Sequence, residues 1–119
     1  MKLIRYIVAI LLVFGTAKAA DFISGTDDIP LPEGTRQIHS ADIDFGNSEI
    51  RFNESYITSD KLSSSEVLHF YRETLPQMGW IFNSKKENAL HFERDMEILD
   101  IVSEKDKPLL IRITLKSKD

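Results

Sequence analysis

The sequence predicts an α+β domain in which one helix packs on a small antiparallel sheet, with elements in the order β-β-α-β-β-β-β. Three observations predict it. From Leu62 to Gly79 apolar residues recur every three or four positions behind a serine cap; on both sides of that segment the period falls to two; and short polar turns divide the alternating runs. A chain of 119 residues has room for one domain.

Residues 1–19 differ in character from the rest. Lys2 and Arg5 give a basic start, an apolar run extends from Tyr6 to Phe14, and Ala17-Lys18-Ala19 supplies small side chains two apart. These are the three parts of a cleavable export signal, and the apolar run is too short for a helix spanning a bilayer, which needs about 20 residues. The expected cut follows Ala19; one after Ala20 would place Lys18 in a small-residue pocket. Residues 20–36 then form an extended arm punctuated by Gly25, Pro30, Pro32 and Gly34, ordered after Asp28 and loose before it. Residues 37–117 form the α+β domain.

Two strands open that domain. Ala41–Phe45 alternates Ile43 and Phe45 against Asp42 and Asp44, Gly46-Asn47-Ser48 makes a turn, and Glu49–Ile57 places Ile50, Phe52 and Tyr56 on one face with Asn53, Ser55 and Ile57 opposite. The helix follows. Ser63 is its N-cap, Glu66 completes a capping box, and Leu62 with Val67 fits a hydrophobic staple. Val67, Phe70, Tyr71, Leu75 and Met78 make one apolar stripe. Pro76 deletes a helical hydrogen bond and kinks the last turn, and Gly79 ends the helix. Trp80–Asn83 is the next strand, with Ser84–Asn88 a polar turn. Ala89–Arg94 turns Leu90 and Phe92 inward and His91 and Glu93 outward. Ile98–Ser103 follows a tight turn at Asp95-Met96. Leu109–Lys116, with Leu109, Ile111, Ile113 and Leu115 on one face, completes a four-strand meander after the turn Lys105–Pro108.

Charge narrows the partners. Removing residues 1–19 takes away Lys2, Arg5 and Lys18, leaving 12 of the 15 basic residues against 19 acidic ones, about −7 at neutral pH. An acidic domain without a basic cluster suits neither nucleic acid nor anionic lipid. The absence of cysteine rules out disulfides, thiol catalysis, thiolate metal sites and a lipid-modified cysteine anchor. No stable membrane anchor is expected once the signal is removed.

Candidate chemistry is sparse. Glu66, His69 and Glu73 share one side of the helix in the spacing of a carboxylate-bridged metal site, but such a site needs several facing helices and Glu66 already serves the cap. His91 and Glu93 share a strand face that Arg112 and Thr114 can approach, which is an acid/base pattern as well as the ordinary polar side of a half-buried strand. Ser63-Ser64-Ser65 sits at a helix start, where capping accounts for serine. Phe70, Tyr71, Trp80, Phe82 and Phe92 form either a ligand cage or, more simply, core; Trp80 would seal the corner between helix and sheet. Asn53-Glu54-Ser55 is a glycosylation sequon. No catalytic, metal or cofactor site is assigned, and Ser63, Glu66, Phe70, Tyr71, Pro76, Gly79 and Trp80 are expected to act structurally.

Three blocks carry a resemblance: residues 28–34 (DIPLPEG), Phe70–Trp80 with Glu66-Val67 before it (FYRETLPQMGW), and Phe92–Leu99 (FERDMEIL). Together they resemble a family of small exported alphaproteobacterial proteins of unknown function. The resemblance implies an envelope location and carries no activity or cofactor; Asp95-Met96-Glu97 departs from it in lacking a glycine. The expectation is a periplasmic binding or accessory module that meets another envelope protein through its arm and a sheet edge. The alternatives are a small-ligand carrier with a cavity behind the helix, or a small hydrolase or transferase using His91 and Glu93.

Overall fold

The computed structural model describes residues 21–26, 28–44 and 51–118. Residues 1–19, the Gly46-Asn47-Ser48 turn and the side chains of His39, Ile43, Phe45 and Ile50 lie outside the described set. Six strands, β1 (Arg36–Asp44), β2 (Arg51–Thr58), β3 (Ile81–Lys86), β4 (Ala89–Arg94), β5 (Glu97–Asp106) and β6 (Leu109–Ser117), form one antiparallel sheet in the order β1-β2-β6-β5-β4-β3. The last four strands meander, as short two-residue connections require. The β1–β2 pair joins on the far side of β6, leaving β1 and β3 as the edges. Asp95 makes its turn at φ 53°, a left-handed conformation that aspartate tolerates in place of glycine. The last turn contains a cis Lys107–Pro108 bond.

The single helix, α1 (Ser64–Thr74), starts as its sequence specifies. The Ser63 hydroxyl accepts from the Glu66 amide at 3.2 Å, and the Glu66 carboxylate accepts from the Ser63 amide at 2.9 Å, so two otherwise orphaned donors are satisfied reciprocally. Pro76 does not kink an α-helix here. The chain tightens into a 3-10 turn at Leu75–Met78, with the proline near its start, and Gly79 closes it at φ 94°. That conformation brings the Trp80 amide to the Leu75 carbonyl at 3.2 Å and sends the indole inward, where it is 2% exposed.

Val67, Tyr71 and Leu75 lie fully buried against Phe92, Leu99, Ile101, Ile111, Ile113 and Leu115. Phe70 and Phe82 pack on this cluster edgewise, against Tyr71 and Phe92 respectively. The aromatic set is therefore core and its margin.

The arm belongs to the same layer as the helix. Ile23 and Ile29 are completely buried, the Ile23 amide bonds the Ile29 carbonyl at 2.9 Å, and Phe22 and Pro30 form a β-bridge. Order thus begins before Asp28, because Ile23 is an anchor. The Ser59 hydroxyl donates to the Gly34 carbonyl and accepts from the Lys61 and Leu62 amides, fastening the end of the arm to the loop before the helix.

Several expectations need correction. β1 begins at Arg36 rather than Ala41. Of the two β2 faces that alternation sets opposite each other, the one with Asn53, Ser55 and Ile57 points into the protein, 2%, 0% and 0% exposed. Their polar groups are met locally, Asn53 Nδ2 donating to the Ser24 carbonyl at 3.1 Å and Gln37 Nε2 to the Ser55 hydroxyl at 3.2 Å. The arm therefore supplies the acceptor that lets a polar strand face inward. With Asn53 buried, the sequon is closed off in the folded domain. β3 begins after Trp80 and runs through Ser84, Lys85 and Lys86, which alternation in sequence assigned to a turn; an edge strand pairs on one side and needs little apolar content. β5 likewise continues to Asp106, beyond Ser103, across a bulge between Ser103 and Lys105.

Candidate functional site

Helix and arm lie on one face of the sheet. Among the described residues no element covers the other face, and strand register arranges it in cross-strand rows. Glu54, Thr114, Asp100, His91 and Ser84 form the middle row, one residue from each of β2, β6, β5, β4 and β3. Tyr56, Arg112, Val102, Ala89 and Lys86 form the row on one side of it; Phe52, Lys116, Ile98, Glu93 and Ile81 form the row on the other. Apolar and charged residues are mixed, so this surface is neither core-like nor purely solvated.

His91 and Glu93 do come together, and the pair is part of a larger network. His91 Nδ1 lies 2.5 Å from Asp100 Oδ1, and its Nε2 lies 3.1 Å from Glu93 Oε2. Lys118 Nζ reaches the other Glu93 oxygen at 2.8 Å, and Asn83 Nδ2 donates to Oε2 at 2.7 Å. Partial burial works against the imidazolium, but hydrogen bonds to Asp100 and Glu93 outweigh it and raise His91 above its ordinary value. The Lys118 ammonium, followed by His91 and Asn83, holds Glu93 down at about 2. Both ring nitrogens of His91 are thus engaged by carboxylates on opposite sides of the ring. Arg112 stands one row away and donates to Glu104 at 2.7 Å; Thr114 is separated from His91 by Asp100.

The helix candidates separate as well. Glu66 is committed to the capping box, and His69 and Glu73 are exposed. Among the described residues no cluster of His, Asp or Glu is arranged to hold a metal ion. Ser64 Oγ meets Ser103 Oγ at 2.7 Å and the Ser64 amide donates to Asp106 at 3.1 Å, which lowers the Asp106 carboxyl below its ordinary value. These serines tie the helix start to β5.

A different feature has no signature in the sequence. The helix rests mainly on β4, β5 and β6, and β3 is reached chiefly by the 3-10 turn. The sheet therefore projects past the helix as a ledge, and a groove of about 480 Å³ lies between the helix and the β3–β4 turn, reaching β3 at Lys85. Leu68 and Leu90 form part of its apolar lining; Arg72 and Lys85 enter from the helix and from β3, while Glu87 and Asp106 stand with the serines toward the helix start. The Arg72 guanidinium lies 3.8 Å above the Phe82 ring, which fixes its position without using its hydrogen-bond donors.

In comparisons with known proteins, no family model, no curated protein and no solved structure matches the chain. Among the described residues no helix is long and apolar enough to cross a membrane.

Proposed function

We propose that this chain is an exported accessory module of the cell envelope that acts by binding another protein. Export is supported by the basic, apolar and small-x-small order of residues 1–19, and an envelope location by the resemblance carried by Phe70–Trp80. The observation that carries the binding role is the single-sided cover of the sheet. One face is closed by helix and arm, while among the described residues nothing covers the opposite face or pairs with the outer edge of β3. The arm is not the hook, since Ile23 and Ile29 are spent in the core. We favour binding over the hydrolase reading because His91 is held between Asp100 and Glu93 in a network that also ties down Lys118 and Asn83. The carrier reading loses support because Val67, Tyr71, Leu75, Phe92 and Leu99 fill the space behind the helix.

The test is capture from an envelope fraction of the cells that make the protein. Wild-type chain is expected to begin at Ala20 and to retain a defined partner. Ile81→Asp combined with Lys86→Glu, both at exposed positions on β3, is expected to release that partner, whereas Glu73→Lys on the exposed helix side keeps it. Retention of Met1 in a cytoplasmic fraction, or identical capture by all three forms, contradicts the proposal.

A further inference from the structure

The geometry points to a specific occupant for the ledge beside the helix: an extended acidic segment of a partner protein, added to β3 as a seventh strand. This rests on the binding role proposed above and goes further by naming the edge and the chemistry. β3 is bonded to β4 on one side and is the last strand of the sheet, so its outer backbone groups offer the ladder that strand addition uses. The helix sits mainly over β4 to β6, and the groove beside it reaches β3 at Lys85, where an inward side chain of an added strand would enter.

Charge selects what enters. Arg36, Arg94 and Arg112 each hold a carboxylate, at Asp60, Asp28 and Glu104. Arg72 is placed on an aromatic ring instead, and faces the same groove as Lys85. Two cations on opposite walls of one groove, in a protein of net charge −4, are complementary to carboxylates on alternate residues of a strand. Of the acids at the far end, Asp106 is engaged by the Ser64 amide, and Glu87 belongs to the β3–β4 turn. The bulge between Phe82 and Ser84, with Lys85 and Lys86 beyond it, also disfavours pairing with a second copy of β3, because like charges would meet along the edge.

A fluorescent, N-acetylated octapeptide alternating Glu and Val tests this by anisotropy, with Lys/Val and Gln/Val octapeptides and free glutamate as controls. The Glu/Val peptide is expected to bind saturably, at least tenfold tighter than the Lys/Val peptide, and more weakly as salt rises. Arg72→Gln with Lys85→Gln is expected to weaken it at least tenfold, and hydrogen exchange should slow at those β3 amides that face away from β4. If loss of the Phe82 contact unfolds that pair, Lys85→Glu at its exposed position gives the same reading alone. Equal binding of the Lys/Val peptide, binding unaffected by these substitutions, or displacement by free glutamate at equal affinity overturns the inference. A partner captured through the open sheet face with β3 unprotected also overturns it, and leaves the binding role standing.

Discussion

The Tyr71 hydroxyl donates to the Pro30 carbonyl at 2.7 Å, joining the helix to the N-terminal arm through two buried residues. Burial pushes that hydroxyl well above its usual pKa, so it remains a donor throughout the stable pH range. Through this bond and the two buried isoleucines, residues 21–26 and 28–35 become a structural layer beside the helix rather than a tether.

Truncations in this layer should therefore cost stability. Ile29→Ala is expected to destabilise the fold by about 3 kcal/mol, the usual cost of emptying a buried aliphatic site, and Tyr71→Phe by about 1 kcal/mol. Urea unfolding followed by tryptophan fluorescence measures both. An unchanged midpoint for Ile29→Ala would mean that the arm is only loosely attached.

A second fastening lies at the corner after the helix. Arg94 pairs with Asp28 and Glu97, donates to the Met78 carbonyl at 3.1 Å, and covers the Trp80 ring at 4.2 Å. Arg94→Leu leaves the half-buried Asp28 without its cation and is expected to cost about 2–3 kcal/mol, less than a fully buried pair because both groups keep some solvent. Asp28→Leu in the Arg94→Leu background should then recover part of the loss, which a double-mutant cycle reads directly.

Gly79→Ala is expected to cost about 1–2 kcal/mol. Its φ of 94° disfavours any side chain, and a Cβ there would come within 3.3 Å of Arg94 Cδ. Thermal melting of the single variant checks this; a neutral result would show that the corner relaxes.

The His91 network gives a pH signature. His91 is raised from 6.5, so its contribution is complete below that value and is lost as pH rises through the folded value. Glu93 is lowered from 4.5 to about 2, so its contribution is complete above 4.5 and is lost as pH falls. The two overlap between pH 4.5 and 6.5. The stability difference between wild type and His91→Asn should be greatest in that window and shrink on the alkaline side. Urea midpoints across pH, with an NMR titration of the imidazole, test it; a ring titrating below 6.5 would contradict the clamp.

Much of the fold could be read along the chain because the signals were local. Ser63 and Glu66 are three residues apart, and the alternation from Leu109 to Leu115 needs no partner to be understood. The inward turn of Asn53 and Ser55 was not legible, because the groups that satisfy them, Ser24 and Gln37, come from the arm and from the neighbouring strand β1. Ser84–Lys86 concealed an edge strand, since a strand bonded on one side can be wholly polar. The His91–Asp100 contact left a trace: a two-residue turn at Asp95-Met96 fixes Arg94 opposite Glu97 and hence His91 opposite Asp100. The ledge left none, because Arg72 and Lys85 meet only once the helix is set over β4 to β6.

The most direct measurement is photo-crosslinking in the cells that make the protein, with benzoylphenylalanine replacing Lys86 on β3 or Glu73 on the exposed helix side. Irradiation is expected to give one discrete higher-mass adduct from position 86 and none from position 73. No adduct from position 86, or the same ladder of adducts from both positions, would contradict a binding role for the open side of the sheet.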